Sequence, residues 1–394
     1  MADDLQSEMR SYIGWLTSVD PDRFVGSKGH RFSIRRIRRL LSSWGLEIRV
    51  QPFTVEMTVP ERWSLDIDLG KGFEQVDSLP GLGSPSVREM VSDLVPVGYA
   101  KRTDYESLEG VAGHAHLARL WENHETEKIQ EAAGRGGSAL VWYNDYFDEL
   151  YSGACDYSHA PIPGVSIRKS VAERILEKGG ARIRLSIRSR RRTIRCRNLI
   201  AGRGPMKGEH VILTAHHDSR PFTPGASDDA SGVAVMLAFI KNRFDADSVF
   251  PVRYLFADCE EEGCQGAEVY AEQVYRANLM KEIRGLVNLD AVGWPNLCLI
   301  VRDRGAIMDE ELTGLAAEAL AERGYKAEQV RSRTGKSNHT PFAARGVPSL
   351  WYSDYPNYIR HSVIDNAFNI DYPTMELVAR SLRSVFQRFG RGGL

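Results

Sequence analysis

Cysteine is scarce in this chain. Its 394 residues contain five, Cys155, Cys196, Cys259, Cys264 and Cys298, odd in number and dispersed. That argues against a disulfide framework and for a reducing, cytoplasmic setting. Cys259 and Cys264 have no second cysteine pair to complete a structural zinc site and read as small packing residues. Long hydrophobic runs are missing too. The longest, Val233 to Ile240, is far too short to cross a bilayer. The opening Met1-Ala-Asp-Asp4 lacks the basic-then-apolar layout of a secretion signal. No charge of one sign dominates, since Lys and Arg total 51 against 52 Asp and Glu. Bulk electrostatics therefore gives no case for nucleic acid or membrane as a partner.

The chain is long enough for two ordinary domains. Near the N-terminus Leu5, Met9, Tyr12, Ile13 and Leu16 recur at three and four residues, which predicts a helix. A second amphipathic helix is predicted from about Phe32 to Trp44, stopped by Gly45, with Arg35, Arg36, Arg38 and Arg39 on a solvated face. From about 46 to 200 the texture changes to alternating strands and Gly/Pro/Ser-rich turns, with a short helix over Val171 to Leu176. Ile183, Leu185 and Ile187 alternate with arginines as a half-exposed strand. The run Arg190-Arg191-Arg192 that follows lacks interleaved aromatics, so it reads as a charged strand edge and not as an RNA site.

From about 198 the pattern is βα. Continuous apolar strands (Val211 to Ala215, Val252 to Ala257, Gly285 to Leu289, Leu297 to Val301, Pro348 to Tyr352) alternate with helices near 230 to 242, 265 to 277 and 308 to 323. Strands apolar on both faces belong to a sheet covered by helices on both sides, hence mostly parallel. The expected fold class is α/β, a mostly parallel mixed sheet, with a smaller β-rich α/β insert. The expected division is residues 1–56 as helices and first strand of the catalytic domain, 57–189 as the insert, and 190–394 as the rest of the catalytic domain.

Candidate ligands follow the strand ends. His216, Glu260 and Glu261, and Asp290 come at or just after the last apolar residue of a strand, and Asp228 lies in a Gly-Ala-Ser loop before a helix. In an open α/β sheet that rim is where ligands bind. With His361, two His, two Asp and one Glu can hold two divalent cations if one carboxylate bridges them, leaving a neighbouring Glu as a base. His217 would point away from His216 if the strand geometry persists.

The order His-x-Asp-Ser, Gly-Ala-x-Asp-x-Ala-Ser-Gly, Glu-Glu-x-Gly, Asn-Leu-Asp and a late His-Ser-x-x-Asp resembles the M28 zinc aminopeptidases over residues 198 to 394. The insert resembles, more weakly, a protease-associated domain. The resemblance implies a phosphorylase/hydrolase-like α/β fold and two Zn²⁺, with Co²⁺ or Mn²⁺ as substitutes. One zinc would take His216, Asp228 and Asp290; the other would take Asp228, Glu261 and His361. Glu260 would take the proton of a metal-bridging water, Asp218 would hold the other nitrogen of His216, and Asp365 that of His361. A cis bond is expected at Asp228–Asp229. Asn338 and Asn366 depart from the family pattern.

The expected reaction is hydrolysis of the N-terminal peptide bond of short peptides. The alternatives are a carboxypeptidase or small-amide deacylase on the same site, a glutaminyl-cyclase-like enzyme, and a non-catalytic receptor-type relative. His339, Tyr352, Tyr358 and Arg360 are the candidate substrate contacts. Glu262 or Asp354 could hold a substrate ammonium, and Lys336 or Arg360 a carboxylate. A homo-oligomer is compatible with the sequence.

Overall fold

The computed structural model describes residues 2–19, 22–155, 159–204, 207–332 and 335–391. The chain divides into two compact units. The larger takes residues 1–54, 195–360 and 364–394, and the smaller takes 55–194 with 361–363.

The larger unit is built on a mainly parallel sheet. Its strands lie in the order Glu328–Arg331, Cys298–Arg302, Ser349–Ser353, Ile283–Leu289, His210–His216, Val252–Ala257 and the last residues of Ala181–Gly202. The three central pairings, from Ser349–Ser353 to Val252–Ala257, are all parallel. Antiparallel neighbours lie outside them. The central strands are buried along their whole length, as their unbroken apolar runs require.

Alternate residues feed opposite faces. Val211, Leu213 and Ala215 pack with helices Ala2–Leu16, Lys28–Ser43, Gly232–Lys241, Glu310–Ala321 and Tyr372–Arg388. Ile212, Leu255 and Leu286 pack instead with helix Gln265–Arg276. Helices on both faces are thus what the sequence predicts. The closing helix Tyr372–Arg388 was not among the sequence expectations. It starts at an Asp371 cap whose carboxylate accepts from Thr374 N.

Two local devices position the loops at the sheet's carboxyl end. Arg23, buried just beyond the first helix, donates from Nε to His217 O (3.1 Å) and from its Nη atoms to Pro224 O (2.6 Å) and Gly225 O (2.8 Å). It therefore clamps the loop that leads to Asp228. Gly266 opens the helix after Glu260 and Glu261. A Cβ there would lie 2.3 Å from both Asn198 Oδ1 and Asp258 O, so only glycine lets that helix start so close to the strand.

The smaller unit is mixed α/β. It has parallel pairings among Val87–Pro96, Ala115–Arg119, Ala139–Tyr143 and Gly164–Ile167, and an antiparallel one between Val87–Pro96 and Ala181–Gly202. Its strands also carry core on both faces, one around Leu117, Val141 and Ile175 and the other around Leu140, Trp142 and Ile129. The entry into this unit is one long strand, Glu47–Asp68. The arginine run likewise lies inside a strand, Ala181–Gly202. Its charges are answered across neighbouring strands: Arg182 by Asp93 (3.8 Å), Arg184 by Asp66 (2.9 Å), Arg191 by Glu56 and Arg192 by Glu61.

Replacing Arg23 by Met should leave three buried carbonyls without a donor. Unfolding in urea is expected to register a loss of about 3 kcal/mol. A loss below about 0.5 kcal/mol, the level of an ordinary surface change, would remove the clamp from this account.

Candidate metal centre

Three strand ends meet here. His216 is the last residue of its strand, Asp290 follows Ile283–Leu289 directly, and Glu260 follows Val252–Ala257 after a turn at Cys259, whose φ is +57°. His216 Nε2 lies 3.0 Å from Asp228 Oδ1 and 3.9 Å from both Asp290 Oδ1 and Glu260 Oε2. Its Nδ1 points the other way, 3.5 Å from Asp218 Oδ1, at the limit of hydrogen-bond reach. An imidazole so placed presents Nε2 to the carboxylates and its N–H to Asp218.

Asp218 has a second task. Its two oxygens accept from Glu260 N (3.1 Å) and Glu261 N (3.2 Å), so one carboxylate orients both the imidazole and the Glu-Glu backbone. Burial pushes the Asp218 carboxyl up, but His216, His217 and the Glu260 N–H outweigh it and hold it down at about 2. Glu261 is met by Arg220, whose Nε lies 3.0 Å away and whose backbone N donates to it at 3.2 Å. Cys264 Sγ donates to Glu260 Oε1 (3.3 Å). Ser337 Oγ donates to Asp290 Oδ2 and accepts from Asn288 Nδ2 (2.8 Å).

Asp228 sits in an irregular turn, Ala226–Ser231, and the Asp228–Asp229 peptide bond is cis, as expected. Asp365 holds this turn, accepting from Ser227 N (2.7 Å) and Asp228 N (3.2 Å). Its anticipated role beside His361 is corrected accordingly. The partner of His361 is Tyr151, whose hydroxyl lies 2.9 Å from Nδ1 and donates to Glu125. A hydroxyl has one proton. Given to Glu125, it makes the oxygen an acceptor for Nδ1–H and puts the imidazole lone pair on Nε2. His361 is grouped with the smaller unit, although Arg360 and Ile364 on either side belong to the larger.

Within the larger unit, His216, Asp228 and Asp290 bring ligand atoms within 4.8 Å of one another. A second set, His30, His217 and Asp258, does not fit a metal. His30 Nδ1 accepts from Gly26 N (3.1 Å), so the proton is on Nε2, which donates to Asp258 Oδ1 (2.8 Å). His217 thus serves this buried pair, on the side away from His216.

Electrostatics separates the metal-type set from ordinary ion pairing. Burial, and after it the neighbouring carboxylates, pushes the pKa of Asp290, Glu260 and Asp229 up. Each carboxylate makes the next one harder to ionise. Imidazole nitrogen with several carboxylate oxygens is a donor set that suits Zn²⁺, and a divalent cation would relieve the crowding of negative charge. The residues therefore fit the metal.

Other expected contacts fall elsewhere. Tyr352 is fully buried in the core with its hydroxyl on Ser381 Oγ (2.7 Å), which removes it from the substrate contacts. His339 is also fully buried, bonded through Nε2 to Asp303 Oδ2 (2.9 Å) and stacked near Trp351, so it supports the site from behind. Glu262 is buried beside Arg220 (3.5 Å), and Asp354 accepts from Ser227 Oγ (2.7 Å) and Asn357 Nδ2 (3.1 Å). Neither presents an open carboxylate to a substrate amine. Tyr358 and Arg360 keep partial exposure, and Arg360 Nε lies 3.6 Å from Asp228 Oδ2. Arg23 and Arg220 escaped the sequence reading, because neither carries a motif signal of its own.

Strand-end carboxylates and an imidazole arranged around shared ligand positions, on a mainly parallel α/β sheet, define the class as a metallopeptidase. Residues 198–386 match the model of peptidase family M28. The chain is 26% identical to Aminopeptidase YwaD of Bacillus subtilis over 86% of its own length and 73% of that protein's. It superposes on an aminopeptidase from Aneurinibacillus sp. strain AM-1 with a TM-score of 0.70 at 26% identity, covering 96% of this chain and 92% of the other. The zinc aminopeptidase BSAP from Bacillus subtilis shares the fold, with a TM-score of 0.76 at 21% identity over 96% and 94% of the two chains.

Exchanging Asp218 for Asn removes one charged acceptor from the Glu260–Glu261 backbone and the anion facing His216. Turnover or zinc affinity should fall about 10- to 100-fold, read from kcat and from zinc content after dialysis against a weak chelator. Wild-type values in both would show Asp218 to be dispensable.

Proposed function

We propose that this chain is a two-zinc aminopeptidase that removes the N-terminal residue of short peptides, with Glu260 as general base. The observation that carries this reading is the convergence of His216, Asp228 and Asp290 in the larger unit, with Glu260 Oε2 3.9 Å from His216 Nε2 and outside that set. One zinc would be held by His216, Asp228 and Asp290, and the other by Asp228, Glu261 and His361. Zinc held there supplies a Lewis acid that polarises the scissile carbonyl and lowers the pKa of water.

The protein's own groups supply the rest. Cys264 holds Oε1 of Glu260, leaving Oε2 on the side of His216, 3.9 Å from its Nε2. Burial raises the pKa of Glu260 above that of an ordinary carboxylate, which suits a group that must take a proton from water and return it to the leaving amine. Asp218 keeps Glu260 and Glu261 in fixed order along the backbone, so the base stays one residue from a ligand without becoming one.

Arg360 supports a second reading. It is a partly exposed cation 3.6 Å from Asp228, and it could hold a substrate carboxylate, as a carboxypeptidase would need.

Mass spectrometry of one short peptide, free and N-acetylated, separates the two. Stepwise loss from the free N-terminus only is the expected outcome, whereas trimming of the acetylated peptide from its C-terminus would replace it with the second reading. Glu260→Gln should lower kcat about 10²- to 10⁴-fold while zinc content stays at the wild-type level. Undiminished turnover in that variant would reject the general-base assignment.

A further inference from the structure

In the smaller unit, seven arginines on the strands Glu47–Asp68, Val87–Pro96 and Ala181–Gly202 fall into two groups. Arg182, Arg184, Arg191 and Arg192 each meet a carboxylate on a neighbouring strand. Arg62, Arg88 and Arg188 do not: among the described residues none of the three has a carboxylate within ion-pair distance of 4.0 Å, and all are exposed. These three line one cavity of about 490 Å³, together with Ser64, Ser86 and Ser186.

The arrangement follows from strand geometry. Two strands contribute an Arg and a Ser two residues apart, and so on one face, Arg62 with Ser64 and Ser186 with Arg188; the third contributes Arg88, with Ser86 just before its start. Strand Ala181–Gly202 pairs with both of the others. The short serines leave the hollow, and the long guanidinium arms surround it. A bulge shapes one wall. The register between Val87–Pro96 and Ala181–Gly202 shifts between Val87 and Met90, Glu89 takes φ +45°, and its N–H donates to Ser186 Oγ (3.0 Å). A bulge of this kind re-aims the side chains beside it, here Arg88. Ser86 Oγ stands in for a ladder partner, accepting from Ser189 N (2.9 Å).

We propose that this hollow is a binding site for an acidic peptide segment, distinct from the metal centre. Guanidinium groups pair with carboxylates in a planar, two-point fashion. With neighbouring strands ~4.8 Å apart, arginines on three of them spread over roughly 10 Å, too wide for one small anion. An extended peptide with acids at alternate positions spaces successive carboxylates at roughly 7 Å on one side, so two or three of them cover that spread. The volume lies in the range of specific ligand sites, about 300–1,000 Å³.

Fluorescence anisotropy of a dye-labelled Glu-Gly repeat peptide, N-acetylated and C-amidated, tests this with the full chain. Saturable binding is expected, weakened about tenfold or more by Arg88→Ser with Arg188→Ser, and weakened less by Arg88→Lys with Arg188→Lys. The same peptide with Gln for Glu should not bind. Equal binding by wild type and the serine double variant overturns the proposal, as does the absence of saturable binding at low salt. Displacement by inorganic phosphate as readily as by unlabelled peptide would reduce the hollow to a simple anion site and also overturn it. So would tighter binding of a single-stranded oligoribonucleotide. Peptidase turnover of an unblocked peptide, measured in parallel, keeps this result separate from the function of the metal centre.

Discussion

The carboxylate of Asp229 ties together the parts of the larger unit that deliver its chemistry. It accepts hydrogen bonds from the N–H of His216 (3.1 Å), Gly232 (2.9 Å) and Ala291 (3.2 Å). Those three belong to the end of one central strand, the start of the helix after the Asp228 turn, and the residue following Asp290. One buried carboxylate therefore binds backbone N–H groups on three separate segments and fixes where His216, Asp228 and Asp290 stand relative to one another. A buried charge is costly unless it is hydrogen-bonded, and these three bonds offset part of that cost.

That solution creates a second constraint, because Asp229 is not the only acid in the region. Asp218, Asp228, Glu260, Glu261 and Asp290 are also buried. Protein cations answer part of this charge: Arg220 on Glu261, Arg360 near Asp228, and the His216 ring between Asp218 and Asp228. The remainder shows as carboxyl pKa values pushed upward by burial and mutual repulsion. Such a cluster is poorly explained as a stabilising core and well explained as a receptor for divalent cations. The hydrogen bonds around it place each acid in a different role. Asp229 and Asp218 spend their oxygens on backbone N–H groups, whereas Asp228 and Asp290 present oxygens to His216 Nε2.

The smaller unit handles charge by a different route. Its arginine-rich strand is neutralised residue by residue across the sheet, by acids on flanking strands in the positions that cross-strand pairing brings opposite. Where the ladder is interrupted near Glu89 this matching stops, and the unmatched arginines gather around a hollow. Both units thus concentrate like charge where regular backbone pairing ends, one with carboxylates in its interior and the other with arginines on its surface.

The sequence by itself determined the α/β class, the central strands and the ligand-type residues at their ends. Unbroken apolar runs can only be strands covered on both faces, and polar residues just past such runs must lie at the sheet's rim. Periodicity also placed the first two helices, whereas the arginine run read as a strand edge lies inside a long paired strand. The tertiary structure alone decided which acids face a shared point and which are used elsewhere. Asp365 turned out to hold the Asp228 turn, Tyr352 to fill the core, and Glu262 and Asp354 to be engaged in the interior. Tyr151 and Glu125 came to stand behind His361, more than two hundred residues along the chain from Tyr151. Hydrophobic pattern is written locally, in the period of a strand or helix. The partner of a buried polar group is chosen by which distant segment folds within about 3 Å of it, and no local pattern records that distance.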